Sequence, residues 1–71
     1  MNTQITAPMP GKVIKILVNV GDRVAEDDEI MILEAMKMEN PIFSTATGSI
    51  QEIRIKEGEV VAADQVLAVL E

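Results

Sequence analysis

The sequence predicts an all-β fold, a small antiparallel barrel or sandwich built from two similar halves. Three observations carry this: the chain repeats itself, it is rich in Val and Ile, and its apolar runs are short and bounded by turn signals. β-Branched side chains suit a pleated, half-buried surface. Short strands at regular spacing, with no helical segment between them, close into barrels or sandwiches.

The repeat comes first. Slid by 37 positions, "GKVIKILVNVGDRVAEDDEIMILE" (11 to 34) falls without a gap on "GSIQEIRIKEGEVVAADQVLAVLE" (48 to 71). Gly11 meets Gly48, Ile16 meets Ile53, Gly21 meets Gly58, and Leu33-Glu34 meets Leu70-Glu71. Self-similarity of this kind marks a duplicated structural unit. The halves run over about 1–34 and 38–71, inside one domain expected to span 1–71. Lys37 falls at their junction, which a pseudo-two-fold relation would place near the axis, at one end of the molecule.

The elements follow in order. Pro10-Gly11, Gly21-Asp22 and Gly58-Glu59 are turn signals. Between them Val13, Ile16 and Val18 recur as Ile50, Ile53 and Ile55. A step of three and then of two breaks strict alternation and predicts a bulge or a change of face. "VAEDDE" (24 to 29) reads as a solvated acidic turn rather than a helix start. "EIMILEA" (29 to 35) and "QVLAVLE" (65 to 71) are apolar runs of strand length. The expected core is Val13, Ile16, Val18 and Val24 with Ile50, Ile53, Ile55 and Val61; along 30–33, Ile30 and Ile32 are preferred inward.

Composition excludes several functions. With 48% apolar residues and no cysteine, a 71-residue chain must hold together by its core alone. Without His or Cys there is no zinc site of the usual kind and no chemistry to assign to the few serines. A net charge of −6 opposes nucleic-acid binding. No signal peptide or long apolar run is present, so the expected place is the cytoplasm, without membrane insertion.

Between the apolar run 30–33 and Pro41-Ile42-Phe43 there is room only for a hairpin turn. Its tip reads Ala-Met-Lys-Met, where tight hairpins favour Asn-Gly or Asp-Gly. A tip that avoids glycine and displays a lysine points to a functional constraint.

"EAMKMEN" (34 to 40) resembles the attachment motif of biotinyl domains, the biotin carboxyl carrier protein family. The resemblance continues from "APMPGKV" (7 to 13) through "GDRV" (21 to 24) to the closing "DQVLAVLE". It implies a flattened β-barrel, a sandwich of two four-stranded antiparallel sheets with quasi-two-fold symmetry and the modified lysine at a hairpin tip. It also implies that Lys37 receives biotin in amide linkage from a biotin protein ligase. The chain would then be a carrier rather than an enzyme, moving a carboxyl group between a biotin carboxylase and a carboxyltransferase, or serving a decarboxylase or transcarboxylase. Two departures stand out. The run from Gly11 to Val24 leaves no room for the "thumb" loop of some members, and Pro41, which cannot donate to a ladder, should lie on an edge or at a non-hydrogen-bonded position.

The residues around Lys37 have bland readings too. Met36 and Met38 are core fillers or partly exposed thioethers read by the ligase. Alternation puts both on one side, opposite Lys37. Glu34 and Glu39 keep the tip soluble or contact the ligase, and Ala35 belongs to the same recognition set. The recurrence of Glu34 as Glu71 argues for a partly structural role. The acidic run Asp22 to Glu29 is a solvated face, or a docking surface for basic partners. A lipoyl carrier, for which Asp-Lys-Ala is expected at the tip, or a dual biotin/lipoyl attachment protein is the alternative. A bare interaction barrel is the third reading.

Overall fold

The computed structural model describes residues 2–71. The apolar runs become strands: β1 (Thr3–Thr6), β2 (Gly11–Ile16), β3 (Arg23–Val24), β4 (Glu29–Ala35), β5 (Met38–Phe43), β6 (Gly48–Ile53), β7 (Val60–Val61) and β8 (Val66–Leu70). They form two four-stranded sheets, in the orders β1-β8-β6-β3 and β5-β4-β2-β7, and every pairing is antiparallel.

The 37-residue offset is built into this topology. It carries β1 onto β5, β2 onto β6, β3 onto β7 and β4 onto β8, and so converts one strand order into the other. Hydrogen bonds repeat as well. The Gly21 N–H donates to the Ile50 carbonyl at 2.8 Å, as the Gly58 N–H does to the Val13 carbonyl at 2.6 Å. The Asp27 N–H reaches the Ser44 carbonyl at 2.8 Å, and the Asp64 N–H reaches that of Ala7 at 2.8 Å. Both glycines have positive φ, 96° and 90°, which explains why this residue stands at both turns. "VAEDDE" supplies Val24 of β3, a turn and the start of β4, and its acidic side chains are exposed.

Each sheet holds two strands from each half, so neither half owns a complete sheet. The core is shared in the same way. Ile5, Val13, Val24, Ile30, Met31 and Leu33 are buried, and so are their counterparts Ile42, Ile50, Val61, Leu67, Ala68 and Leu70.

Four expectations are corrected. Ile16, Val18 and Ile53 are only partly buried, packed against the core from its margin; β2 and β6 end at Ile16 and Ile53. Along β4, Ile30 does point inward, but with Met31 and Leu33 rather than Ile32. A shift in the β4–β5 register between Glu29 and Met31 turns two successive residues inward and reverses the alternation after them. The junction also does not lie on the axis. The exchange of halves carries the β4–β5 turn onto the chain ends, which flank β8 and β1. Residues 7–10 link the end of β1 to the start of β2, where Lys12 pairs with Glu34, so the turn is at one end of the sandwich and the chain ends are at the other. Finally, alternation does not hold through Met36 and Lys37.

The expected bulge is present in both halves, between Val13 and Lys15 and between Ile50 and Glu52. Pro41 lies on β5, an edge strand, where its missing N–H costs no ladder bond on the open side. The β2–β3 and β6–β7 connections are equal in length, so the first half carries no inserted loop.

Candidate functional site

Ala35 pairs with Met38 as the last rung of the β4–β5 ladder, which leaves Met36 and Lys37 as the whole turn. Their φ angles are 54° and 62°. A two-residue hairpin loop with positive φ at both positions is a type I′ turn, whose twist matches that of the strands it joins. Glycine and asparagine usually fill it, because a Cβ in this region costs about 1–2 kcal/mol per residue. Here a methionine and a lysine occupy it.

The turn sets how the side chains face. Strand alternation stops at Ala35, and the two left-handed residues project from the end of the hairpin. Met36 is 91% exposed, Met38 is 64% exposed, and Lys37 is exposed between them. The thioethers are therefore surface groups and not core fillers. Ala35 is only 7% exposed, so a partner meets it through its main chain if at all. Glu34 and Glu39 are exposed and directly opposite one another, and Glu34 faces Lys12 on its other side. A row of charge thus crosses three strands below the turn.

Among the described residues Lys37 has no side-chain hydrogen-bond or ion-pair partner that would hold it down. Among the described residues the salt bridge joins Arg54 to Glu52, and none involves Lys37. Two surface hollows, one bordered by Ile16, Val18, Ile53 and Ile55, the other by Thr6, Pro8, Pro41 and Phe43, include no residue of the turn. No group of His, Cys, Asp and Glu able to hold a metal occurs among the described residues. The arrangement is a projecting amine at the end of a two-stranded hairpin, outside both hollows. Lys12, Lys15 and Lys56 are also exposed, but Lys12 and Lys15 sit within β2, Lys12 paired with both Glu34 and Val60 and Lys15 with Ile32, and Lys56 lies in the β6–β7 connection.

One participant had no role assigned from the sequence. The Asn40 side-chain amide donates to the Met38 carbonyl at 3.1 Å and braces the first residues of β5. The signal was available, since a side chain of this type bonds readily to main chain two residues away.

Known proteins share both sequence and shape. A family model described as "Biotin-requiring enzyme" matches residues 3–70. The chain belongs to that family. The biotin carboxyl carrier protein of Streptococcus mutans is 53% identical over 57 residues, 80% of this chain and 44% of that protein. Pyruvate carboxylase of Bacillus subtilis is 39% identical over 69 residues, 97% of this chain and 6% of the enzyme. The urea carboxylase of Kluyveromyces lactis contains a segment that superposes with a TM-score of 0.94 at 31% identity, covering 100% of this chain and 6% of that one. The chain thus spans less than half of the length of these relatives. Biotin is the cofactor that goes with the family, and the relatives named here give lipoate no support. Covalent attachment of biotin calls for a primary amine that is free on all sides, and Lys37 on its turn meets that requirement.

Proposed function

We propose that the 71 residues act as one biotinyl domain, a non-catalytic carboxyl carrier whose biotin is attached to Lys37. The observation that carries this reading is the lysine itself: an exposed amine on a two-residue left-handed turn, with no ion-pair partner among the described residues, in a chain of the biotin-requiring family. Its stem can enter another protein's active site while the barrel stays outside. There the free amine of Lys37 attacks the carbonyl of acyl-activated biotin, the activating group leaves, and a neutral amide replaces the ammonium. When attached, biotin accepts a carboxyl group at one site and releases it at another. The chain's own part is to keep that group tethered, raising its effective concentration at both sites.

The partners of the reading are a biotin protein ligase, which meets Met36, Met38 and the main chain around Ala35, with Glu34 at the margin, and the biotin carboxylase and carboxyltransferase parts of a carboxylase. The relatives are carboxylases or their carriers, which favours a carboxylase over a decarboxylase. A cytoplasmic setting belongs to the same reading; no helix among the described residues is long and apolar enough to cross a membrane.

The test is intact mass after incubation with biotin, ATP and a biotin protein ligase. The expected result is a gain of one biotinyl group, mapped by peptide analysis to Lys37. A chain that remains unmodified, or is modified at Lys12 or Lys15, overturns the assignment.

A further inference from the structure

From the placement of the sulfur atoms we infer that the turn is a redox-sensitive modification site, at which oxidation of Met36 and Met38 to sulfoxides slows loading of Lys37. The proposal rests on the reading of Lys37 as the attachment residue and adds a control on it.

Sulfur is unevenly distributed over the chain. There is no cysteine to intercept oxidants. Met31 is fully buried and Met9 half-buried against the core, whereas Met36 and Met38 are 91% and 64% exposed. Oxidation of a thioether requires an oxidant to approach its sulfur, so exposure favours the turn over Met9 and Met31. Among the described residues, the two exposed thioethers stand immediately on either side of Lys37 on its turn.

The chemistry is a two-electron transfer from sulfur to a hydroperoxide. A sulfur lone pair attacks one peroxide oxygen, the S–O bond forms and the O–O bond breaks. The other oxygen leaves as water or an alcohol, taking up the proton. Sulfur is oxidised by two electrons and the peroxide is reduced by two. The product replaces a flexible apolar group by a polar, chiral one. Nothing in the fold is disturbed, because both side chains lie in solvent. What changes is the surface that a partner must desolvate to reach Lys37. A polar oxygen left unpaired in an apolar contact is penalised more than a missing methyl group. A sulfoxide reductase, using a thiol pair that becomes a disulfide, would restore the thioethers.

The experiment uses the chain without biotin, since biotin carries a thioether of its own. The chain is treated with hydrogen peroxide and sampled over time. Peptide mapping follows oxygen uptake at residues 9, 31, 36 and 38, and ligase kcat/KM is measured at each point. The expected result is uptake at 36 and 38 well before 9 and 31, with kcat/KM falling roughly tenfold in step, at the low end of what a misfitted apolar contact costs an enzyme. Reductase treatment should restore the rate. The double variant Met36→Leu/Met38→Leu, compared with itself before and after peroxide, should show no fall. Met9→Leu/Met31→Leu should still show it. Equal oxidation of 9 and 31, or full oxidation at 36 and 38 with kcat/KM unchanged, overturns the proposal. A chain that takes no biotin before peroxide overturns the carrier reading as well, and the untreated arm reveals that separately.

Discussion

Gly11 packs against the main chain of Glu34: a Cβ on Gly11 would lie 2.5 Å from the Glu34 carbonyl oxygen. The second half repeats the contact, where a Cβ on Gly48 would lie 2.7 Å from the Glu71 carbonyl oxygen. Both glutamate side chains are exposed. What the two halves share at this point is therefore a close backbone approach. It explains the paired glycines and leaves the Glu34 carboxylate free beside the turn.

Gly11→Ala and Gly48→Ala should each lower stability by about 1–3 kcal/mol, because the clash is with backbone that must shift. Gly21→Ala meets nothing within 4 Å, but its φ is +96°, so its cost of about 1–2 kcal/mol is conformational strain alone. Urea unfolding gives both numbers. Only Gly11→Ala moves the strand that carries the turn, so it alone should also slow the ligase. Wild-type stability in Gly11→Ala would mean that the close approach is not made.

Ile50→Ala should cost about 2–5 kcal/mol, since Ile50 is 1% exposed and its removal leaves a cavity shared by both halves. Ile53→Ala should cost less, because Ile53 sits at the margin of the core where the strand ends. Chemical denaturation of the two variants under one condition checks the order. If Ile53→Ala is the more damaging, the inward set along β6 is misassigned.

Much of this fold was legible in the sequence, for physical reasons. The ungapped repeat implied two halves of equal topology, and the uneven spacing of Val13, Ile16 and Val18 implied the bulge found in both. "EIMILEA" coincides with β4. Its inward set was not legible, because an uninterrupted apolar run gives no contrast between faces, and a bulge at Ile30 reverses the alternation. The strand β1 escaped as an element of its own, since Thr3–Thr6 has a single apolar residue, Ile5. The lysine was visible through its motif. The left-handed turn was not, because its two residues are among those that such turns ordinarily avoid.

Lys37→Arg should leave the fold intact and end biotin attachment. A φ of 62° asks no more of arginine than of lysine, and the exposed side chain contributes little to stability. Arginine keeps the charge, but its guanidinium stays protonated and is no nucleophile. Circular dichroism and unfolding should match the wild type within about 0.5 kcal/mol, while streptavidin binding after ligase treatment should be lost. Continued biotinylation of the variant would move the site to Lys12 or Lys15.

Met36→Gly should separate stability from function at the turn. Met36 holds a φ of 54°, a region where glycine bears no Cβ penalty and methionine does. The substitution removes no buried contact, because the side chain is 91% exposed. Relief of strain should therefore raise stability, by about 1 kcal/mol, against the opposing entropy of a more flexible unfolded chain. The same change deletes one of the two thioethers beside Lys37, so ligase kcat/KM should fall. A variant that is more stable and more slowly loaded is the expected outcome, measured by urea unfolding and by the rate of biotin incorporation. Loading at the wild-type rate would show that Met36 is not read by the ligase. A loss of stability would show that the left-handed turn is not the conformation Met36 adopts. A gain in stability with a loss of loading would mean that the methionine is kept, against its backbone preference, for the partner that must reach the lysine.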